Sequence, residues 1–225
     1  MKRQISDSIP CGILLALSGG CMDAYSYLFR DHIFANAQTG NMLLFGVNLA
    51  NGDIFEALRY LWPVLAFTAG IILSDIINQK SSVIRIHWRQ ISVLVEAIIL
   101  VFVSFMPTEL NPIANVMISF ACGIQVESFR KIHGNSIATT MCIGNLRSGT
   151  YNLDKYLNTG ENSYLRKAVL YYGVIASFVV GAVIESRCIS FMGNKAILLS
   201  VLLLLSALII MFRKADGDDG DNFVD

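Results

Sequence analysis

The sequence predicts an all-α integral membrane protein: six transmembrane helices and two re-entrant, half-helix segments, arranged as two inverted three-span repeats. Three observations lead there. Of 225 residues, 54% are hydrophobic and 15% charged, whereas a soluble domain carries about 25% charged residues. The charges gather in short clusters, and the stretches between them approach the roughly 20 residues a helix needs to cross a bilayer. The second half of the chain also echoes the first at a nearly constant spacing. Residues 1–225 read as a single membrane domain.

The first span covers residues 11–29, interrupted by Asp23. Met1-Lys2-Arg3 ahead of it resembles the start of a secretory leader, and Ser18-Gly19-Gly20-Cys21 resembles a lipoprotein cleavage site. Such a site wants an aliphatic residue where Ser18 stands, and apolar character runs on past Cys21, so this segment reads as a retained helix. Further spans follow at 57–78, at 91–106 around Glu96, at 111–126 up to Glu127, at 168–184, and at 196–212 between Lys195 and Arg213.

Two uncharged segments differ in kind. Residues 32–52 hold Asn36, Gln38, Thr39, Asn41, Asn48 and Asn51, and residues 132–146 hold Asn135, Ser136, Thr139, Thr140 and Asn145. Polar, glycine-broken backbone at membrane depth must be shielded by protein or water. Residues 42–50 would make about 14 Å of helix, half the hydrocarbon thickness. Thr39 or Asn41 would cap its N-terminus and leave backbone N–H groups aimed at the midplane, an arrangement that favours anions.

Basic residues set the expected orientation. Lys2 and Arg3, the 80–89 linker with Lys80, Arg85 and Arg89, and Arg213-Lys214 should lie on the cytoplasmic side. Residues 107–111, without a positive charge, should lie outside. That pattern requires both polar segments to be re-entrant and places both termini in the cytoplasm of a cell-membrane protein. The acidic, glycine-rich 215–225 reads as a solvated tail, because its aspartates miss the calcium-loop pattern.

An offset of 104 pairs Gly19 with Gly123, Asp23 with Glu127 and Asn41 with Asn145. An offset of 111 pairs Tyr60 with Tyr171, Phe67 with Phe178 and Gly70 with Gly181. A longer loop at 152–162 takes up the difference. Repeat A then covers about 9–106 and repeat B about 111–213. Three spans are an odd number, so the second repeat enters from the opposite side. Inverted repeats with broken helices recur in secondary transporters, with the binding site near the midplane between the halves; the argument is one of fold-level analogy.

The run Gly19-Gly20-Cys21-Met22-Asp23-Ala24-Tyr25-Ser26-Tyr27-Leu28, followed by Thr39-Gly40-Asn41, resembles the YoaK-like family of bacterial multi-pass membrane proteins over residues 5–213. Cys21 stands where an apolar or aromatic residue is expected, and Ile143-Gly144-Asn145 lacks the threonine of the first-half motif. The resemblance implies location and topology. The family brings no substrate or reaction with it.

Asp23 is the sharpest candidate, since an ionisable residue inside a span is a functional hypothesis by default; a structural pair with Arg30 is the alternative. Glu96 is the second proton-relay candidate, unless it reaches Arg89. Glu127 faces Arg130 and Lys131 at helix-surface spacing. Asp23, Gln38, Thr39, Gly40, Asn41, Glu127, Thr140 and Asn145 make up the expected substrate site, with small-residue helix packing as the plain alternative. No hydrolase, metalloprotease or phosphate-loop motif is present, so no enzyme and no cofactor are expected. The five cysteines form no C-x-x-C pair and His32, His87 and His133 are scattered, so no metal is expected either. Lys plus Arg equals Asp plus Glu at 17 each, which gives no argument for nucleic acid. The bilayer is the expected partner, with a small solute as substrate and assembly of several copies left open. Two functions remain: a small-solute transporter, anionic and proton-coupled, or a non-transporting membrane scaffold.

Overall fold

A computed structural model describes residues 8–80, 88–132 and 134–213. Among them lie eight α-helices and one two-residue hairpin. Helix α1 (Ile9–Phe29) starts with Pro10 in its first turn, where the missing N–H has no intrahelical partner anyway. Then come α2 (Gln38–Ala50), α3 (Ile54–Lys80), α4 (Trp88–Val103) and α5 (Asn111–Ser128). The Asp53 carboxylate caps α3 by accepting from Glu56 N at 3.1 Å. The antiparallel strands β1 (Lys131–Ile132) and β2 (Asn135–Ser136) lead to α6 (Cys142–Thr159), α7 (Asn162–Met192) and α8 (Leu198–Arg213). Gly160, at φ 71°, turns the chain from α6 into α7 in a left-handed conformation that only glycine takes freely.

Among the described residues, three helical stretches are long and apolar enough to cross a membrane: Ile9–Phe29, Ile54–Gln79 and Asn162–Lys195. Leu198–Phe212 is a shorter apolar helix. Leu43, Phe102, Val169 and Leu202 are each more than 60% exposed, an outer surface suited to a hydrocarbon solvent rather than to water.

Two elements differ from expectation. The first half-helix begins at Gln38 rather than Met42. Helix α6 runs to Thr159, through the 152–162 stretch expected to be a loop. Its buried face is Asn145, Gly149 and Asn152, a helical spacing made of polar and small residues, which hydropathy does not register. The basic linker lies mostly in 81–87 and the acidic tail in 214–225, outside the described residues, as do Lys2, Arg3, His87 and His133.

Helix α1 packs between α7 and α8, and α5 packs between α3 and α4. Helix α2 rests on α3, α6 on α7, and α4 on α8. Glycines set two of these crossings. A Cβ on Gly20 would overlap the Phe178 carbonyl, and one on Gly181 the Leu17 carbonyl. A Cβ on Gly123 would overlap the Phe67 carbonyl, and one on Gly70 the Phe120 carbonyl. Backbones in membranes approach this closely only over small residues. Gly20→Val and Gly123→Val are each expected to destabilise by at least about 1–3 kcal/mol and to cut the yield of folded protein from the membrane. Gly46→Ala in α2, where a Cβ meets nothing within 4 Å, should instead stabilise by about 0.5–1 kcal/mol. Thermal unfolding in detergent separates the two cases.

Candidate functional site

Both polar segments arrive at α1. The half-buried Asp23 accepts a hydrogen bond on Oδ1 from Asn36 N at 2.7 Å, just ahead of the first residue of α2. The Asn36 amide donates to Gly19 O at 3.2 Å. From the second half, Gln125 Nε2 donates to Leu15 O and to Thr139 Oγ1, both at 3.1 Å. The Thr140 methyl group packs on Gly19, and a Cβ there would lie 3.1 Å from it. One turn of α1 around Gly19 is therefore gripped by Asn36 from one side and by Thr139, Thr140 and Gln125 from the other. Gly19 is glycine because the chain of Thr140 passes directly over it.

Polar atoms in this cluster remain open. Asn36 Oδ1, Gln125 Oε1 and Thr140 Oγ1 are buried without a hydrogen-bond partner among the described residues. Cys122, fully buried on α5, lies within electrostatic reach of both Asp23 and Glu96. Glu96 is fully buried, and both of its carboxylate oxygens lack a partner. The expected reach of Glu96 toward Arg89 is thus not made. Buried polar atoms without partners are rare enough to need a reason, such as strain, a catalytic role, or an unseen ion or water.

Each polar segment is closed by one asparagine. Asn41 Oδ1 accepts from Phe34 N at 3.1 Å and its Nδ2 donates to Phe34 O at 2.8 Å. Asn145 Oδ1 accepts from Ala138 N at 3.3 Å and its Nδ2 donates to Ala138 O at 2.6 Å. Both side chains act as a surrogate strand for a residue seven positions back. Gln38 braces the first of them, donating to Ala35 O and accepting from Asn41 Nδ2. Gly40 is small because the Phe34 ring lies where a Cβ would go. Asn41→Ala and Asn145→Ala are each expected to cost about 1–3 kcal/mol by orphaning a buried backbone pair. Their effects in the double variant should add to within about 0.5 kcal/mol, since the locks share no partner. Thermal unfolding of the three variants reads this.

Several site expectations need correcting. Thr39 and Asn41 do not cap α2: the cap position is Ala37, which makes no side-chain bond, and Thr39 lies on an exposed face. Arg30 does not pair with Asp23. It is fully buried, with its guanidinium donating to Tyr25 OH, Asn111 Oδ1 and the carbonyls of Val103, Met106 and Pro107. Asn115 Nδ2 in turn donates to Arg30 O at 2.5 Å. Glu127 forms an ion pair with Arg130 on its own helix end, as its spacing suggested, and it caps no half-helix in the manner of Asp23. Asp23 and Asn41 thus serve the same segment, whereas Thr39 and Glu127 stand apart from it.

Sequence reasoning passed over Glu185 on α7. It is fully buried with both carboxylate oxygens unpartnered. It lies one residue beyond the apolar run of the expected fifth span, so the trimming of that run at its first charge hid it. Away from these groups, a cavity of about 960 Å³ opens at the start of α1, between Ile9, Ile13, Asn135, Arg166 and Leu170. It is lateral and mainly apolar, and none of the expected site residues line it. No group of three or more metal-ligating side chains occurs among the described residues.

A family model described as "Protein of unknown function (DUF1275)" matches residues 11–211. The UPF0700 transmembrane protein YoaK of Bacillus subtilis (strain 168) is 26% identical over 183 residues, covering 76% of this chain and 79% of that protein. No solved structure matches. A mostly helical chain with lipid-suited helices, matched from its first helix to its last by one family and similar to a transmembrane protein, is a membrane protein of the DUF1275 family.

Proposed function

We propose that this chain is a small-solute transporter, built as six spans and two polar re-entrant segments, the 13-residue α2 and the 18-residue α6, in two inverted halves, with both termini cytoplasmic. The observation that carries the reading is the convergence of both polar segments on Gly19 of α1, with Asp23 at the entry of α2 and open polar atoms around it. Sites built from half-helices of two repeats are how secondary transporters hold polar solutes at membrane depth.

The helix contacts support two related halves. Exchanging α1 with α5, α2 with α6, α3 with α7 and α4 with α8 turns every major helix pair into another observed pair, or into itself. The glycine crossings correspond residue by residue: Gly181 over Leu17 with Gly70 over Phe120, and Gly20 over Phe178 with Gly123 over Phe67. These favour Gly20 over Gly19 as the counterpart of Gly123, an offset of 103 that becomes 104 by the time Asn41 meets Asn145. The charges support the orientation. The end that holds the start of α1 and the 131–136 hairpin carries Arg130, Lys131, Arg166 and Lys167. The other end carries Asp31, Asp53, Glu56 and Glu109 beside Arg59 and Lys195. An impermeant thiol reagent applied outside should label Glu109→Cys and spare Ser81→Cys, the latter lying outside the described residues. The opposite pattern would refute the orientation.

The start of a half-helix carries about half a positive charge, and the Asp23 carboxylate sits just ahead of it, held by Asn36 N two residues before the first residue of α2. An anionic solute competes with Asp23 for the same N–H groups. Protonation of Asp23 removes the charge that repels the anion, so a proton and an anion enter together. Whole-cell metabolite levels with and without the protein test the transport reading: a small set of anions should change in the membrane-competent strain alone. Unchanged levels would favour the scaffold reading, for which the lateral groove at Ile9 and Leu170 offers a docking surface.

A further inference from the structure

We propose that Glu185 is a proton-binding site whose proton exchanges with solvent, a second coupling site on the opposite face of α1 from the Asp23–Glu96 group. The inference deepens the transport reading and rests on it for its purpose, though not for its test. Helix α1 faces α7 with Cys21 and Tyr25, and both lie within electrostatic reach of Glu185.

The offset that relates α3 to α7 shows why this carboxylate stands out. Counting back 111 positions from Glu185, as from Gly181 to Gly70, gives Ser74, which is buried and bonded: Ser74 Oγ pairs with Ser128 Oγ at 2.9 Å. At this related position, therefore, one half holds a satisfied serine and the other a fully buried carboxyl group with both oxygens open. If the position served packing alone, the short hydroxyl would suffice in both halves. A buried carboxylate with no cation beside it takes up a proton rather than stay charged.

The surroundings supply no cation to replace that proton. Cys188 is on the same helix, and Cys21 and Tyr25 come from α1. Ser200 is the neutral contribution of α8. In the turn after α7, Lys195 sits over the Phe105 ring, and Arg30 spends its donors on Tyr25 OH, Asn111 and carbonyls. Helix α6 meets α7 near its other end, where Thr150 bonds Tyr172. Tyr25, within electrostatic reach of Glu185 though not hydrogen-bonded to it, points the way to water: its OH donates to Asn194 O at 3.1 Å, and Asn194 is partly exposed. A proton entering at this turn converts the Glu185 carboxylate to its acid, and leaves again by the same path.

Infrared difference spectra of the full chain in lipid bilayers, taken between acid and alkaline buffer, read the proton directly. Wild type should show a protonated-carboxyl band that disappears on alkalinisation. Glu185→Gln should lose one component of it, and Glu185→Asp should keep that component at a shifted frequency. Glu96→Gln should remove a different component. A band unchanged by Glu185→Gln, or a Glu185 component that persists at every pH, would overturn the proposal, as would one lost only when sodium is added. If Glu185→Gln does not accumulate, the shift in Glu185→Asp decides. Transport could fail with this band intact, so the two readings fall separately.

Discussion

Asp23→Asn is expected to accumulate in the membrane at near wild-type levels while its effect on cellular anion levels falls at least tenfold and loses its dependence on external pH. The amide is the size of the carboxylate, and its oxygen can still accept from Asn36 N, the bond Asp23 makes at 2.7 Å. The entry to α2 should therefore keep its shape. What the variant lacks is a proton-dependent charge. On the proposed mechanism, the anionic Asp23 bars an anion from the half-helix start and the protonated form admits it; the amide stays neutral at every pH and carries no proton along with the anion. Metabolite levels at two external pH values, normalised to membrane-bound protein, check this. If Asp23→Asn instead fails to accumulate, the carboxylate is needed to hold residues 35–37, and the coupling role goes.

Arg30→Met is expected to produce the largest loss of stability of any single side-chain change, at least about 3 kcal/mol. Two effects oppose one another. Burying a guanidinium is expensive, and an apolar residue removes that penalty. Against this, hydrogen bonds to a charged group contribute about 1.5–3 kcal/mol each, and Arg30 makes six to five different partners. The carbonyls of Val103, Met106 and Pro107 each keep another donor, so the loss falls well short of the sum. The deciding point is where Arg30 sits. Arg30 stands at the C-cap of α1, and its guanidinium bonds the carbonyl of Val103 at the end of α4 and those of Met106 and Pro107 beyond it, so the negative end of α4 meets a cation in place of a carboxylate. Methionine would leave that end facing a dry interior. Arg30→Lys keeps the charge without the fork and should recover part of the loss. Thermal unfolding in detergent checks both; an Arg30→Met variant as stable as wild type would mean that the desolvation penalty dominates.

The apolar framework was legible because a bilayer imposes length and hydropathy on the sequence directly. Helices α1, α3 and α7 lie where those patterns put them, and Asp23 drew attention as a charge inside a span. What was not legible came from partners far along the chain. Arg30 sits a short way from Asp23 in sequence, yet apart from Tyr25 its acceptors are 73 to 81 residues away. Glu185 ended an apolar run and so looked like a boundary residue. The entry to α2 escaped because its capping acceptor comes from the preceding helix, while capping rules search only the residues next to the helix start. The 152–159 part of α6 escaped because a buried face of Asn and Gly carries no hydropathy signal.

The glycine crossings have a mechanical consequence. Where Gly20 and Gly181 join α1 to α7, and Gly70 and Gly123 join α3 to α5, main chain touches main chain with no side-chain layer between. Such a joint cannot slide, because each step of translation would drive a Cβ into a carbonyl. Each pair moves as one rigid beam, and α6 and α2, seated on α7 and α3, ride with their own beam. Relative motion is left to contacts built from interlocking side chains that can change rotamer, and α4 against α8 is such a contact between the two beams, α8 packing on α1 and α4 on α5. The bundle would then work like two levers turning on a seam of Val93, Leu100, Ile197 and Leu204, with Glu96 set into the hinge.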